Sequence, residues 1–505
     1  MSLAIIYSRA CIGMHAPLIT IEVHISNGLP CFQLVGLPQR SVSEAKERVR
    51  SAMINAGFEF PAKRITVNLS PADIPKTGAR FDLPIALGLL VASGQIAQEA
   101  ILPFECVGEL ALSGELRAVA GVMSAAVAAG DANKTLLTAR ANQAELALLA
   151  PVNARVGQSL LEIVQHVTRA LILPRIQAPK IKALPQSDTL DMADVMGQDM
   201  AIRALTIAAA GGHNVLLFGP PGTGKTMLAK RFNGLLPSLN KTATIEHAMV
   251  LSVAGKDIAE DWGQRPFRQP HHGASSAAMI GGGRNAMPGE VSLAHCGTLF
   301  LDELPEFNRT CLDALREPLE SGDVHLARAD YSVTYPARFQ LIAAMNPSPT
   351  GSIENNRSTF DQTMRYLHKV SGPLLERIDI QVEVKKCTLT GSAADNPAHT
   401  TEYLRQLVQH AQNRQLERQG CLNDRLSARG MRAHATLSPN EQAFIAKAVE
   451  TLGLSLRVSQ RLIKIARTIA DLDPTHPSMI TQGHLAEALQ YRAFDRFLVH
   501  YAHNG

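Results

Sequence analysis

The 505-residue sequence predicts an α/β fold built around a phosphate-binding loop, and three observations support this prediction. An apolar strand pattern at 215–218 runs into a glycine-rich turn, and a helical pattern begins at Met227. A second apolar run, 298–301, ends in two acidic residues. In residues 1–172, β-rich stretches such as LITIEVHIS alternate with helical ones such as SVSEAKERVRSAMINAG. Strands that alternate with helices are typical of α/β domains.

Composition indicates an intracellular globular protein. The hydrophobic fraction of 46% is enough for several cores, and the length suits three or four domains. Seven scattered cysteines without CxxC spacing argue against a disulfide framework or a zinc ribbon and favour the reducing cytoplasm. No signal peptide and no membrane-spanning run is expected. The net charge of +4 permits nucleic-acid binding without arguing for it.

The glycine-rich turn fits the pattern GxxxxGK[ST] between a strand and a helix. The predicted nucleotide-binding residues are Gly219, Pro220, Pro221, Gly222, Thr223, Gly224, Lys225 and Thr226. Backbone N–H groups of such a loop surround phosphate, Lys225 would reach the β- and γ-phosphates, and Thr226 would bind Mg²⁺. The alternative is an ordinary glycine-rich turn, which the flanking strand and helix make improbable. The predicted ligands are therefore ATP and Mg²⁺.

The segment GTLFLDELPEF supplies acidic partners for this loop. Asp302 and Glu303 follow the buried strand pattern at 298–301. Asp302 would hold Mg²⁺ through water, and Glu303 would polarise the attacking water. Two acids at a strand end are by themselves more often a solvated turn, but the phosphate loop favours the functional interpretation.

Three polar residues further along the chain have both a structural and a functional interpretation. Asn346 ends the apolar strand FQLIAAMNPSP, where it could simply form a turn. Arg377, in SGPLLERIDIQVEV, could form a surface ion pair with Glu376 or Asp379. Arg457 lies on an amphipathic helix, where a basic residue usually belongs to the solvated face.

The order of these features resembles the AAA+ ring ATPases. The resemblance implies that Asn346 is a first sensor of the γ-phosphate, that Arg377 is a finger reaching a neighbouring subunit's nucleotide, and that Arg457 is a second sensor. The phrases RQPHHGASSAAMIGGG, MPGEVSLAHCGTLFLDELPEFNR, NPSPTG, SGPLLERIDI and ARTIADL resemble the YifB/ComM family of magnesium-chelatase-like proteins, essentially from end to end.

This resemblance implies a homo-hexameric ATPase that acts on single-stranded and branched DNA, drives branch migration during natural transformation, and works beside recombination proteins. The sequence departs from the family in two places. Glu376 stands where the family usually has Asp, and SIENNRSTFDQTMRYLHKV lacks the cysteine cluster of many members, which argues against zinc there.

The N-terminal domain resembles the proteolytic domain of Lon-type proteases in VGELALSGELRAVAGVMSAAVAAG, but the Ser–Lys dyad is missing. The serine position reads Gly78 to Asp82, and the lysine position reads approximately Met123. Without a nucleophile beside a base there is no acyl transfer, so we expect a scaffold, a DNA grip or a partner surface. Ser70 is an outside candidate, since a strand-end serine is usually a turn residue.

Four parts are predicted along the chain. They are a Lon-protease-like domain without the dyad (1–172), a proline-rich linker (173–190), an AAA+ ATPase core with hairpin inserts (191–388) and a helical lid (389–505).

Two basic segments are candidates for DNA contact: the long insert between the loop and the acidic strand, and the hairpin pattern ESGDVHLARADYSVTYPARF. The candidate residues are Arg268, His271, His272, Arg284, His325 and Arg328. Positive groups there could follow phosphates without reading bases. Alternatively, the tandem histidines cap or pack the insert.

Two function classes remain open at this point. One is a DNA motor, and the other is a chelatase-type remodeller that acts on a protein or a metal-insertion partner. The insert and the whole-chain resemblance favour the motor. A protease is excluded by the missing dyad.

Overall fold

The computed structural model describes residues 2–36, 44–179, 190–258, 262–283, 286–328, 332–351, 358–386, 399–475 and 477–504. Across these ranges the chain forms two large sheets, each with helices packed on it, followed by a group of C-terminal helices. No helix in these ranges combines the length and the apolarity that a membrane crossing requires.

A mixed seven-stranded sheet forms the N-terminal part. The first nine strands are β1 (Ser2–Arg9), β2 (Leu18–Ser26), β3 (Cys31–Val35), β4 (Arg64–Ser70), β5 (Phe104–Cys106), β6 (Glu109–Leu110), β7 (Leu116–Arg117), β8 (Thr135–Ala139) and β9 (Ala154–Gly157). The sheet order is β3-β4-β2-β1-β5-β8-β9, and β6 pairs with β7 in a separate hairpin. Buried residues alternate with less buried ones along β2 and β4, because successive side chains of a strand point to opposite faces.

Several α-helices accompany this sheet in the part of the chain that the structure describes. They are α1 (Ala45–Asn55), α2 (Asp82–Ala92), α3 (Gln98–Ile101), α4 (Val122–Asp131), α5 (Gln143–Ala147) and α6 (Leu160–Val167). Every residue of α2 is buried, as expected for a helix that is apolar on all sides. A Cβ atom at Gly88 would lie 2.6 Å from Val23 Cγ2, so the absence of a side chain lets α2 approach β2 closely.

The second sheet is entirely parallel. Its part of the chain contains β10 (Val215–Phe218), β11 (Phe267–Arg268), β12 (Gly281–Gly282), β13 (Met287–Pro288), β14 (Thr298–Leu301), β15 (Asp323–Ala327), β16 (Ser332–Pro336), β17 (Gln340–Met345) and β18 (Ile380–Glu383). The sheet order is β11-β14-β17-β10-β18, while β12 with β13 and β15 with β16 form antiparallel hairpins. The three central strands are almost fully buried, as in sheets covered on both faces.

Helices surround this sheet and continue to the C-terminus. Those of the sheet region are α7 (Asp199–Gly211), α8 (Lys225–Leu235), α9 (Lys241–Ala254), α10 (Ser276–Ile280), α11 (Glu290–Leu293), α12 (Arg309–Ala314), α13 (Pro318–Ser321), α14 (Phe360–Leu367) and α15 (Gly372–Leu375). The C-terminal helices are α16 (Thr401–Gln419), α17 (Ala428–His434), α18 (Pro439–Leu452), α19 (Leu456–Leu472), α20 (Gln482–Gln490) and α21 (Ala493–Asn504).

The C-terminal helices share a hydrophobic core with the second sheet. Residues of α7, α16 and α19 belong to the same buried cluster as β10 and β18. The last helix, α21, returns to the sheet, where the ring of Phe494 lies 5.2 Å from that of Phe218. The C-terminal helices are therefore packed on the sheet rather than attached to it by a linker alone.

The two sheet regions meet where α4 approaches α9. The N–H of Gly121 donates to the carbonyl oxygen of Ser252 at 3.0 Å, and Met123 is buried in the same contact with Ala248 and Leu251. The residue at the lysine position of the Lon-type pattern therefore packs in this contact. The four-part division stays a prediction, since residues 180–189 and 387–398 lie outside the described residues.

Candidate nucleotide-binding and hydrolysis site

The predicted phosphate loop connects the carboxyl end of β10 to the start of α8. Gly219, Gly222 and Gly224 have φ values of +157°, +74° and +91°, a backbone region that side chains disfavour. A Cβ atom at Gly219 would lie 2.2 Å from the carbonyl oxygen of Val384, so the loop needs glycine where it passes the end of β18. The remaining loop positions turn the chain toward the N-terminus of α8, which attracts anions.

Internal contacts stabilise the inner part of the loop. Thr223 is buried, and its hydroxyl donates to the carbonyl oxygen of Pro220 at 2.9 Å. Pro221 lies next to Gly351. A Cβ atom added to Gly351 would come 2.8 Å from the proline ring. These contacts hold the loop in one conformation, which lowers the entropic cost of binding a ligand.

The ammonium group of Lys225 lies inside the loop. It donates to the carbonyl oxygens of Gly219 and Pro220, both at 2.8 Å, and to Asn346 Oδ1 at 3.1 Å. Burial lowers the pKa of Lys225, and the charge of Asp302 opposes that shift. All three hydrogen-bond acceptors are neutral, so the ammonium charge is available to an anionic phosphate. The structure also brings Asn346 to the loop.

Two oxygens suited to Mg²⁺ lie side by side at the loop. Thr226 Oγ1 donates to Asp302 Oδ2 at 2.8 Å, which joins the start of α8 to the end of β14. A hydroxyl and a carboxylate oxygen are hard ligands of the type that Mg²⁺ prefers. The donor set therefore fits the ion that the sequence predicts here.

Glu303 follows Asp302 with a left-handed backbone. Its φ is +54°, and its N–H donates to Asp302 Oδ1 at 3.0 Å. A non-glycine residue in this region is uncommon and often marks a functional turn. The side chain is 57% exposed and therefore open to water.

The tandem histidines lie beside this acid. Nδ1 of His272 is 3.6 Å from Glu303 Oε2, and the rings of His271 and His272 lie 4.1 Å apart. Nδ1 of His271 accepts from the N–H of Gly273 at 3.1 Å. The sequence suggested DNA contact or packing for this pair. The contact of His272 with Glu303 joins residues 31 positions apart, and no local pattern indicated it.

Arg377 and Arg457 lie at the opposite end of the sheet. The N–H of Asp379, two residues after Arg377, donates to the carbonyl oxygen of Asn214, which directly precedes β10. Strand β18 has four residues, so Arg377 lies about 13 Å or more from the loop of its own chain. The fold therefore brings Asn346, but neither arginine, to the loop within one subunit.

Both arginines pair with Glu320. Arg377 is buried, forms an ion pair with Glu320 and donates to the carbonyl oxygen of Pro373 at 2.7 Å. Arg457 Nη2 lies 2.6 Å from Glu320 Oε1. The hydrogen bond from Arg377 lowers the pKa of Glu320. An ion pair of Arg377 was one interpretation of the sequence, but the expected partners Glu376 and Asp379 were wrong.

Within this cluster Asp379 pairs with another arginine. Arg461 forms an ion pair with the buried Asp379 carboxylate. Burial alone would raise the pKa of Asp379, but the charges of Arg461 and His213 hold it well below its usual range. At this end of the sheet, two carboxylates, Glu320 and Asp379, thus pair with three arginines.

The other candidates for DNA contact differ in whether their side chains are already paired within the fold. Arg268 makes two hydrogen bonds to Glu290, at 2.7 and 2.9 Å, so its charge is matched within the fold. His325 is exposed on β15, with Nδ1 2.9 Å from Thr334 Oγ1 on β16. A Cβ atom at Gly282 would lie 3.1 Å from Arg328 Nη2, so the two hairpins touch there. Arg284 lies outside the described residues.

Known protein families match both sheet regions and the C-terminal helices. Residues 191–391 match the family described as magnesium chelatase, subunit ChlI, residues 21–142 match subunit ChlI of Mg-chelatase, and residues 398–492 match the ChlI C-terminal family. The chain is 49% identical to the YifB protein of Salmonella typhimurium over 506 residues and 48% identical to that of Escherichia coli over 507 residues. It is 50% identical to the competence protein ComM of Haemophilus influenzae over 507 residues. Each alignment covers 99% of both proteins.

Proposed function

Because the chain belongs to the YifB/ComM family of magnesium-chelatase-like proteins, we propose that it is an AAA+ ATPase that moves branched DNA. In this proposal a homo-hexameric ring hydrolyses ATP and drives branch migration of recombination intermediates in the cytoplasm. The name of the Haemophilus relative, a competence protein, supports natural transformation as the setting. The observation that carries the proposal is the meeting of Lys225, Thr226, Asp302 and Asn346 at one end of a parallel sheet.

The residues that meet at the loop have separate roles in hydrolysis. Lys225 binds the β- and γ-phosphates and exchanges its neutral partners for anionic oxygens. Thr226 and Asp302 would hold Mg²⁺, which neutralises phosphate charge when bound. Glu303 accepts a proton from the attacking water, and Asn346 orients that water through its side-chain amide.

Hydrolysis is completed by the neighbouring subunit. Arg377 and Arg457 lie too far from their own loop to contact its nucleotide, yet both are held together on one carboxylate. A carboxylate bound by two guanidinium groups resembles a phosphate in charge and in hydrogen-bond geometry. In the ring the two arginines leave Glu320 and bind the γ-phosphate of the adjacent loop, where they stabilise charge in the transition state.

DNA is held by the paired hairpins. His325 and Arg328 extend from the β15–β16 hairpin, and Arg284 is assigned to the neighbouring insert from the sequence alone. Their positive charge would follow backbone phosphates without regard to base sequence. Because His272 of the same insert lies beside Glu303, movement of the insert on DNA can change the position of the catalytic acid.

The matching family descriptions favour one alternative, a magnesium-chelatase-like remodeller acting on a protein or a metal-insertion partner. The response of ATP hydrolysis to DNA distinguishes the motor from the remodeller. ATP hydrolysis and movement of a labelled four-way junction would be measured with wild-type protein and with Arg284→Ala/Arg328→Ala. We expect DNA to stimulate the wild type, and we expect the double variant to lose stimulation and junction movement while keeping basal hydrolysis.

The matched control is Arg268→Ala, because that arginine is already paired with Glu290. Its stimulation by DNA should stay close to that of the wild type. A wild-type protein that ignores DNA, or a double variant that still moves junctions, would contradict the motor and favour the remodeller.

A further inference from the structure

An open groove of about 1330 Å³ lies on the N-terminal sheet, separate from the nucleotide loop of the second sheet. Its walls are α1, the start of β3, the segment 58–63 and the end of α2. Strand β3 is the edge strand of its sheet and pairs only with β4 among the described strands, so the groove opens at the sheet edge. The residues assigned above to ATP hydrolysis and to DNA movement do not include this surface.

Aromatic rings line the groove. Phe32, Phe58 and Phe60 are half-buried, which leaves part of each side chain accessible from the groove. Ile54 adds an apolar side chain that is 53% exposed. Part of this apolar surface packs on the core of the sheet, and the remainder is available to a planar ligand.

Positive charge exceeds negative charge in the same groove. Lys46, Arg50 and Lys63 line it together with one acid, Glu59. Arg50 lies over the ring of Phe60, with its guanidinium carbon 5.8 Å from the ring centroid. Neither Arg50 nor Lys63 has an ion-pair partner among the described residues. Cations interleaved with aromatic rings suit a ligand that is anionic and planar.

Internal hydrogen bonds fix one wall of the groove. Gln95 accepts from the N–H of Glu59 at 3.1 Å and donates to the carbonyl oxygen of the same residue at 3.0 Å. The N–H of Phe58 donates to the carbonyl oxygen of Met53 at 2.9 Å. These bonds fix the segment that carries two of the three rings, so little conformational entropy is lost on binding.

We propose that this groove binds single-stranded nucleic acid. Exposed bases would stack on the phenylalanine rings while backbone phosphates contact Lys46, Arg50 and Lys63. A duplex hides its base faces, and a lone phosphate would not use the rings. The groove would hold one strand of the DNA that the proposed motor moves, and only the choice of DNA rests on that proposed function.

The test uses the full chain without nucleotide and measures the anisotropy of a fluorescein-labelled oligothymidylate. Measurements are made in the wild type and in an Arg328→Ala background, which removes the hairpin contact. We expect Arg50→Ala/Lys63→Ala to weaken binding about tenfold and to reduce the salt dependence by roughly 1.4 units, since each phosphate contact on a single strand contributes about 0.7. Phe60→Ala should weaken binding roughly five- to tenfold with little change in salt dependence.

Arg140→Ala is the matched control, because this exposed arginine lies beside β8, near the opposite edge of the same sheet. Photo-crosslinking of a 5-iodouracil oligonucleotide should attach it to residues 58–63. Unchanged affinity in both groove variants would overturn the proposal, as would binding of an acidic peptide in place of the oligonucleotide. Lost oligonucleotide binding in a protein whose ATPase ignores DNA would support the groove and contradict the motor.

Discussion

The two ends of the parallel sheet hold positive charge in different ways. At the carboxyl end, Lys225 contacts two carbonyl oxygens and an amide oxygen, all neutral. At the amino end, Arg377 and Arg457 contact the carboxylate of Glu320. The ammonium charge of Lys225 therefore stays available to a phosphate. The charges of the two arginines are matched by a carboxylate within the subunit. We propose that one chain carries two halves of a site, which a neighbouring chain would join.

The largest effect is expected at the arginine end. Arg377→Ala should lower ATP turnover by about 10³-fold, because an arginine supplied to the γ-phosphate stabilises transition-state charge. The decisive measurement is hydrolysis by a mixture of Arg377→Ala and Lys225→Ala subunits. Some interfaces in the mixture combine an intact loop with an intact arginine, so activity should exceed that of either variant alone.

Lys225→Ala by itself should weaken ATP binding, whereas Arg377→Ala should leave binding to the loop nearly intact. If the mixture is no more active than its parts, Arg377 does not act between subunits. Its ion pair with Glu320 is then structural.

A smaller effect is expected at the loop end. Glu303→Gln keeps the shape of the side chain and removes the base, so turnover should fall by at least about 10²-fold while ATP stays tightly bound. Single-turnover hydrolysis and ATP binding would be measured together. The control is Glu306→Gln, an acid one turn away whose side chain pairs with Lys369 at 3.5 Å. Near-normal turnover in Glu303→Gln would remove this residue from the mechanism.

The smallest effect is expected for the carboxylate that joins the two arginines. Glu320 holds the two arginines together before they transfer to the γ-phosphate, and a partly exposed ion pair is worth about 1 kcal/mol or less, so Glu320→Gln should lower kcat by up to roughly fivefold. ATP affinity should not change, because Glu320 lies at the end of the sheet away from its own loop. Glu317→Gln, an exposed acid on the preceding turn, serves as the control. A changed ATP affinity with an unchanged kcat would refute this positioning role.

Much of the site could be predicted because its signals are local. The strand, turn and helix around Lys225 are contiguous, and Asp302 and Asn346 each end an apolar strand. Parallel strands place their carboxyl ends at one edge, and three separate segments meet there in the second sheet. The hydrogen bonds of Thr226 to Asp302 and of Lys225 to Asn346 join them as the sheet order requires.

Other features had no local signal. The contacts of Arg377 with Glu320, of Arg268 with Glu290 and of His272 with Glu303 each join residues more than twenty positions apart. Opposite charges are common along the chain, and sequence spacing does not say which pairs the fold brings together. For that reason the partners first expected for Arg377 were wrong, and the pairing of Arg268 was not anticipated.

The sequence by itself determined the phosphate loop, the acidic strand end and the α/β class, because strand and helix periodicity and glycine backbone freedom act over a few residues. The tertiary structure alone decided which charges are neutralised and which stay available. It placed Arg377 and Arg457 at the far end of the sheet from Lys225, and it formed the aromatic groove from four separate segments. Electrostatic pairing and groove shape depend on distances between remote residues, which only the packing of the whole chain sets.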